Sequence, residues 1–106
     1  MLLFSKDVIN FVQSVKFEIV FASLFDQLIR SSTSIGANVI EGKAGVSKRD
    51  WLNFLGISLK SANETKYWLC LIRDSFDYDK AQLNSMVAEA DELSRIIASI
   101  IINGNK

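Results

Sequence analysis

The chain contains neither histidine nor proline among its 106 residues. Without histidine, it cannot form histidine-dependent catalytic triads, most zinc sites or the Glu-x-x-His motif of di-iron helical bundles. Without proline, no residue removes a backbone N–H and forces a helix to kink or stop. The first absence excludes large classes of catalytic and metal chemistry, and the second leaves long segments free to be helical.

Cysteine is almost absent as well, because Cys70 is the only one. A single cysteine cannot form an internal disulfide, and a reducing compartment is the default for such a chain. Cys70 lies within the apolar run YWLCLI, and no histidine exists to activate its thiol. We therefore interpret Cys70 as a small core residue and not as a nucleophile.

Long apolar runs are missing too. The longest, IIASIII at residues 96–102, is far shorter than the ~20 residues that cross a bilayer. The N-terminal stretch MLLFSKDVINFV has no basic start, and Lys6 and Asp7 interrupt it, which is unlike a signal peptide. The sequence predicts a soluble, cytoplasmic protein with no membrane contact.

Neither sign of charge is in excess, since 12 Lys and Arg balance 12 Asp and Glu. About half of the residues are apolar, which is typical of a globular chain, and the length predicts one domain over residues 1–106. A neutral total argues against general nucleic-acid binding but is compatible with a local basic patch.

The spacing of apolar residues is helical wherever it is regular. It predicts a short first helix with Phe4, Val8 and Phe11 on one side, followed by helices over about 20–43, 48–74 and 79–102. The expected core stripe of the last helix comprises Leu83, Met86, Val87, Ala90, Leu93, Ile97, Ile100 and Ile101.

Residues typical of helix ends flank these segments. Ser5 is expected to cap the first helix, Ser47 with Asp50 the third, and Asp79 with Gln82 the fourth, while Gly104 is expected as a C-cap. The connections at 16–19, 43–46 and 75–78 are short, which forces antiparallel neighbours. The predicted fold is therefore all-α, an antiparallel up-down-up-down four-helix bundle.

The segment SSTSIGANVIEG at residues 31–42 is the best candidate for a site. A phosphate-binding loop is excluded, because five residues separate Gly36 from Gly42, Ala44 follows Lys43, and no strand precedes the run. As a helix, the segment presents small residues, and Gly36 predicts a close approach of a neighbouring backbone. We expect its hydroxyls to form a polar network with SANETKYW at residues 61–68, chiefly with Ser61, Asn63, Glu64 and Thr65; a ligand site is the alternative.

Two strings carry a resemblance to a known family. QLIRSSTSIGANVIEG at 27–42 contains the pattern QL-x-RS-x-TSIGAN, and SKRDWLNFLGISLKSANETKYWL at 47–69 contains S-x-x-D followed by A-x-ET-x-YWL. The chain thus resembles the four-helix bundle proteins related to those encoded in intervening sequences of large-subunit ribosomal RNA genes. The accessory proteins of diversity-generating retroelements are similar. The first helix looks shorter than is usual in the family, and Trp51 stands where phenylalanine is usual.

The resemblance implies an antiparallel bundle that assembles as a ring-like homopentamer, and the retroelement accessory proteins bind nucleic acid on a basic pentamer surface. It implies no catalytic residue. The matched signature residues are Arg30, Ser34, Asn38, Asn63, Glu64, Tyr67 and Trp68. Their expected role is structural, with Glu64 accepting from Arg30 or from the helix hydroxyls, and with Tyr67 and Trp68 as anchors of an interface.

The bundle topology sorts the charges by end. One end collects Lys6, Lys43, Lys48, Arg49 and Lys106, and the other collects Asp74, Asp77 and Asp79. Helix dipoles explain Lys43 and Asp79, but Lys48 and Arg49 lie at a helix start, where cations are unfavourable. Lys43, Lys48 and Arg49 are therefore the predicted nucleic-acid contacts, to the backbone and not to the bases.

The sequence favours a non-enzymatic, homo-oligomeric helical-bundle scaffold or accessory protein that contacts RNA or DNA through its basic end. No cofactor, metal or small-molecule substrate is expected. A protein-interaction module with no nucleic-acid role is the alternative. An enzyme is disfavoured, because Glu41 and Glu64 are the only carboxylates proposed to share a site and no spacing dictates their pairing.

Overall fold

The computed structural model describes residues 1–45 and 47–104, and every regular element in these ranges is helical. The helices are α1 (Leu2–Ser14), α2 (Ala22–Ala44), α3 (Lys48–Ser75) and α4 (Lys80–Gly104), with one turn of 3₁₀ helix at Ile19–Phe21 before α2. The all-α prediction is confirmed. Val46 of the predicted second connection and Lys106 of the predicted basic end lie outside the described residues.

The helices form a bundle of 45 × 21 × 20 Å in which each packs on two neighbours. α3 lies between α2 and α4, and α1 completes the square on the opposite side, also against α2 and α4. Short connections between long helices give the up-down-up-down, antiparallel order that the sequence predicts. α1 has 13 residues and α3 has 28, so α1 covers only part of the length of its neighbours.

Apolar stripes from all four helices meet in one core. Its largest fully buried side chains include Phe11, Phe25, Leu28, Ile35 and Leu69, each worth about 1.5–3 kcal/mol of transfer free energy. Ile100, predicted in the stripe of α4, is instead 38% exposed. Six small polar residues share the core, namely Ser31, Ser32, Ser58, Ser61, Thr65 and Ser94.

Two predicted helix caps are confirmed. Ser47 Oγ accepts a hydrogen bond from the Asp50 amide (3.1 Å), and Asp79 Oδ1 accepts from the Ala81 and Gln82 amides (3.0 and 3.2 Å). Each satisfies amides that a helix start leaves without a partner, which contributes about 1 kcal/mol.

Two other predicted caps are wrong. α1 already begins at Leu2, so Ser5 is an interior residue, and its hydroxyl donates to the Ser32 carbonyl oxygen across the helix pair (3.1 Å). Gly104 is the last residue of α4, within the helix and without a positive φ. A Cβ there would lie 2.8 Å from Leu52 Cδ2, so Gly104 serves the close approach of α4 to α3.

An aromatic cluster closes the end of the bundle where α1 leads into α2. Phe17 stacks on Phe25 with ring centroids 4.2 Å apart, and Phe76 stacks on Tyr78 at 5.2 Å. The Tyr78 hydroxyl donates to the Lys16 carbonyl oxygen (2.8 Å), which ties the α1–α2 connection to the α3–α4 connection. Burial raises the pKa of Tyr78.

Within the described ranges, none of the helices has the combination of length and apolar character needed to span a membrane.

Candidate functional site

The segment SSTSIGANVIEG lies wholly within α2, as its helical interpretation predicts. Ser31 and Ser32 are buried. Ser34 and Asn38, which lie on the same side of the helix as Ser31, are half-buried. The segment is therefore not a loop, and its small side chains face α3 and α1. The structure therefore places the candidate site between helices.

Three contacts form a hydroxyl ladder between α2 and α3. Thr65 Oγ1 lies 2.9 Å from Ser31 Oγ and also donates to the Ser61 carbonyl oxygen (2.8 Å). One turn away, the Ser61 hydroxyl donates to Ser34 Oγ (3.0 Å).

The third contact is the Ser58 hydroxyl, which donates to the Ile35 carbonyl oxygen (2.7 Å). Ser58, Ser61 and Thr65 follow three- and four-residue spacing, so they line one side of α3. The ladder satisfies buried hydroxyls and fixes the register of the two helices.

The signature residues divide between the ladder and other contacts. Ser34 belongs to the ladder, and Asn38 supports it from the same helix, since Asn38 Nδ2 donates to the Ser34 hydroxyl and carbonyl oxygens (both 2.8 Å). Asn63 does not reach α2. Its Oδ1 instead accepts from the Ser94 hydroxyl of α4 (3.1 Å), so its predicted contact with α2 is wrong.

Arg30 and Glu64 do not form the expected pair. Arg30 Nε donates to Asp26 on its own helix (2.9 Å), and both side chains are mostly exposed. Glu64 is exposed and accepts no hydrogen bond from the residues that the structure describes. The reason is helical geometry: Glu64 lies about 100° around the helix from Thr65, so it points away from the ladder.

The close helix approach predicted at Gly36 occurs at Gly42 instead. A Cβ on Gly36 would meet only Met1 Cβ, at an ordinary 3.5 Å. A Cβ on Gly42 would lie 2.8 Å from Trp51 Cε3 and 3.0 Å from Phe54 Cβ. The missing side chain at Gly42 makes room for the Trp51 ring, and this ring is thus half-buried against α2.

Tyr67 lies on the side of α3 that faces away from the core, whereas Trp68 packs against the edge of the core. The Tyr67 side chain is 60% exposed, and its ring meets the half-buried Trp68 ring edge-on, with centroids 5.0 Å apart. Trp68 Nε1 is buried and has no hydrogen-bond partner among the described residues. Next to these rings is an open hollow of about 500 Å³ that reaches along α3 to Gly56.

A second hollow, of about 450 Å³, lies between α1 and α2. Met1, Leu2, Ile9 and Ile40 line it, and all four are exposed apolar residues. Lys6 lines the same hollow, so it lies along the side of the bundle and not at the predicted basic end.

The remaining predicted basic residues do gather at one tip. Lys43 is in the last turn of α2, while Lys48 and Arg49 are the first residues of α3, and all three are exposed. We call these three residues the basic tip. Glu41 and Asp50 lie near them, so the tip is not uniformly cationic.

The opposite tip is less acidic than predicted. Asp74 is bound by Arg73 (3.0 Å), whose hydrogen bond lowers the pKa of that carboxyl, and Lys80 Nζ donates to the Arg73 carbonyl oxygen (2.7 Å). Asp77 and Asp79 are exposed there. The axial charge polarity is therefore carried mainly by the basic tip.

An ion-pair network joins α3 to α4 on the surface. Asp91 accepts from Arg95 (2.8 Å) and from Lys66 (2.9 Å), and these hydrogen bonds, that from Arg95 first, lower the pKa of Asp91. Residues 1–45 and 47–104 contain no group of three carboxylates or thiols arranged to hold a metal ion. Of the ion pairs in this network, Lys66–Asp91 is the one that connects the two helices.

Comparison with known proteins matches the chain to a protein family and to solved structures. The family model described as 23S rRNA-intervening sequence protein matches residues 1–99. The crystal structure at 1.70 Å of a protein with unknown function from the S23 ribosomal protein family, from Bacteroides thetaiotaomicron VPI-5482, is 35% identical. The alignment covers 94% of this chain and 93% of that chain, with a TM-score of 0.83. No curated protein matches the chain.

Proposed function

Since the chain belongs to the 23S rRNA-intervening sequence protein family, we propose that it is a non-enzymatic helical-bundle scaffold that acts as a homo-oligomer and contacts RNA or DNA through its basic tip. A cytoplasmic location belongs to the proposal, because the lone free thiol of Cys70 suits a reducing compartment. The oligomer is a ring of five copies, which is what the family resemblance implies.

Exposed apolar side chains support the self-association. Leu2 and Ile40, which line the hollow between α1 and α2, are each about 70% exposed, as is Leu3 on the side of α1 nearer α4, and Tyr67 is exposed on α3. Large apolar groups in contiguous patches usually mark a surface that another molecule covers. A bundle this narrow, about 20 Å across, gains a wider and more buried core by association.

The basic tip is the observation that carries the nucleic-acid proposal. Lys48 and Arg49 occupy a helix N-terminus, where the helix dipole disfavours cations, so their placement gains nothing for the helix itself. Trp51, the nearest aromatic, is packed against Gly42 and is not free to stack on a base. The tip therefore suits phosphate contacts, which are salt-dependent and independent of sequence.

The experiment is a titration of labelled single-stranded RNA and duplex DNA with wild-type protein at about 50 and 200 mM salt. We expect binding that weakens steeply with salt. Lys43→Glu combined with Lys48→Glu should weaken binding at low salt by roughly tenfold or more, because two phosphate contacts become repulsive.

The matched control is Lys16→Glu combined with Lys80→Glu, which makes the same change of charge at the opposite tip. It should leave the affinity within about twofold of wild type if the contact is local. Absence of binding at low salt, or an equal loss in both double variants, would rule out the basic tip as the contact. A homo-oligomer with no affinity for either nucleic acid would favour the alternative, a protein-interaction module.

A further inference from the structure

The side of α3 that faces away from the bundle is exposed. α2 and α4 cover its flanks and α1 lies on the far side of the bundle, so this face meets no other helix. We call the exposed residues Arg49, Gly56, Lys60, Glu64, Tyr67 and Asp74 the α3 stripe. They follow three- and four-residue helical spacing or its multiples, and Arg49 to Asp74 spans about 38 Å.

No packing contact among the described residues requires a glycine at position 56. A Cβ added there would meet nothing within 4 Å, and an exposed glycine inside a helix costs about 1 kcal/mol relative to alanine. It leaves a gap at one end of the hollow of about 500 Å³ on this face. The large exposed ring of Tyr67 projects at the other end of the same hollow.

The charges of the α3 stripe are also arranged about its middle, with cations on one side and anions on the other. Arg49 and Lys60 precede the middle of the stripe, near Ala62, whereas Glu64 and Asp74 follow it. In an antiparallel pair of identical helices, residues at equal distances before and after the middle come opposite each other. Lys60 then faces Glu64, Arg49 faces Asp74, and Gly56 faces Tyr67, so each cation meets an anion and the gap meets the ring.

From this self-complementarity we infer that a second copy of the chain docks on the α3 stripe, antiparallel and about a two-fold axis near Ala62. Such a contact is isologous, and the same patch serves both copies. Tyr67 of each copy fills the hollow beside Gly56 of the other, and two central Lys60–Glu64 pairs set the register. The outer pairs are weaker, because Asp74 is already bound by Arg73.

The contact refines the self-association of the proposed function but cannot itself close a ring of five, which needs a head-to-tail contact. It pairs single chains, or pairs two rings. Arg49 is engaged with Asp74 of the second copy, so the phosphate contacts fall to Lys43 and Lys48, the two residues changed in the nucleic-acid test.

The experiment measures mass by light scattering for wild type, Lys60→Glu, Glu64→Lys and the double swap Lys60→Glu with Glu64→Lys. Each single variant places like charges opposite each other and should halve the mass of the assembly. The double swap restores two opposite pairs and should restore the wild-type mass. As a control, Asp26→Lys with Arg30→Glu swaps another exposed pair, on α2, and should leave the mass unchanged.

The outcomes separate the two proposals. Two times 11.9 kDa supports the pairing and overturns the ring; five times supports the ring and overturns the pairing; ten times supports both. A constant 11.9 kDa overturns both. If the single swaps keep the wild-type mass, or the double swap fails to rescue it, the α3 stripe is not the contact.

The second test uses a variant that should also stabilise the single chain. Gly56→Leu fills the gap with a good helix former, so it should make the single chain more stable while halving the mass of the assembly. An unchanged mass in this variant would overturn the fit of Tyr67 beside Gly56.

Discussion

At the scale of single residues, the glycines of the helices lie in opposite surroundings. Gly42 faces the Trp51 ring and Phe54 Cβ across the α2–α3 contact, whereas Gly56 faces open space on the outer side of α3. The same substitution should therefore have opposite effects at the two positions, because at one the added methyl group is crowded and at the other it only favours the helix.

Gly42→Ala should lower the free energy of unfolding by about 1–3 kcal/mol, since a Cβ 2.8 Å from Trp51 Cε3 forces the ring or the helices to shift. Gly56→Ala should raise it by about 0.5–1 kcal/mol. Urea unfolding at dilute protein concentration, where copies do not associate, measures both. Similar shifts of the same sign in the two variants would contradict the assigned surroundings.

Thr65 and Glu64 are neighbours in sequence, but only Thr65 takes part in the hydroxyl ladder. Thr65→Val keeps the shape of a fully buried side chain but removes its hydrogen bonds, so it should lower the free energy of unfolding by about 1–2 kcal/mol. Glu64→Ala, one residue earlier, should change it by less than about 0.5 kcal/mol. Equal losses in thermal or urea unfolding would mean that Glu64 belongs to the ladder after all.

These residues show which contacts of the hydroxyl ladder could be predicted from the sequence and which could not. Ser34, Ser61 and Thr65 could be predicted as partners because hydroxyls on two helices must be satisfied when buried. Asn63 and Glu64 belong to the same string, but their direction depends on how α3 is rotated in the bundle. That rotation is set by packing against α2 and α4 together, which no local pattern contains.

At the scale of elements, the connection between α1 and α2 is stabilised by side chains far away in sequence. Tyr78, in the α3–α4 connection, donates its hydroxyl to the Lys16 carbonyl oxygen, and its ring stacks on Phe76. This explains how a turn with neither glycine nor proline keeps its shape. The cluster could not be predicted, because its members lie some 60 residues apart and share no periodicity.

Tyr78 should also make stability depend on alkaline pH. Burial raises its pKa in the folded state above the ordinary 10.0, so the folded protein holds this proton more tightly than the unfolded chain does. Its contribution is therefore complete below pH 10 and is lost as the pH rises above that value. We expect the melting temperature to fall above about pH 10.

The variant for this test is Tyr78→Phe. It removes the titrating group and its hydrogen bond, so it should be less stable at neutral pH by about 0.5–1.5 kcal/mol but should lose less on going to pH 11. Tyr67→Phe is the control, since Tyr67 is exposed. Parallel pH curves for wild type and Tyr78→Phe would refute the linkage.

At the scale of the whole molecule, the helix count, order and direction followed from periodicity, caps and short connections, and the family from two motifs. The structure adds the surfaces that these elements leave exposed: the parts of α2 and α4 that the short α1 does not cover, a hollow on α3, and a tip at which three of the predicted basic residues gather. All three are uncovered in the single chain, which is why association is central to the proposed function.

The most direct test is the mass of the wild-type protein in solution, measured by light scattering over a wide range of concentrations. We predict a mass of ten times 11.9 kDa, because two rings of five pair through the α3 stripe. A mass of 11.9 kDa at every concentration would contradict the proposal that this bundle works as an assembly.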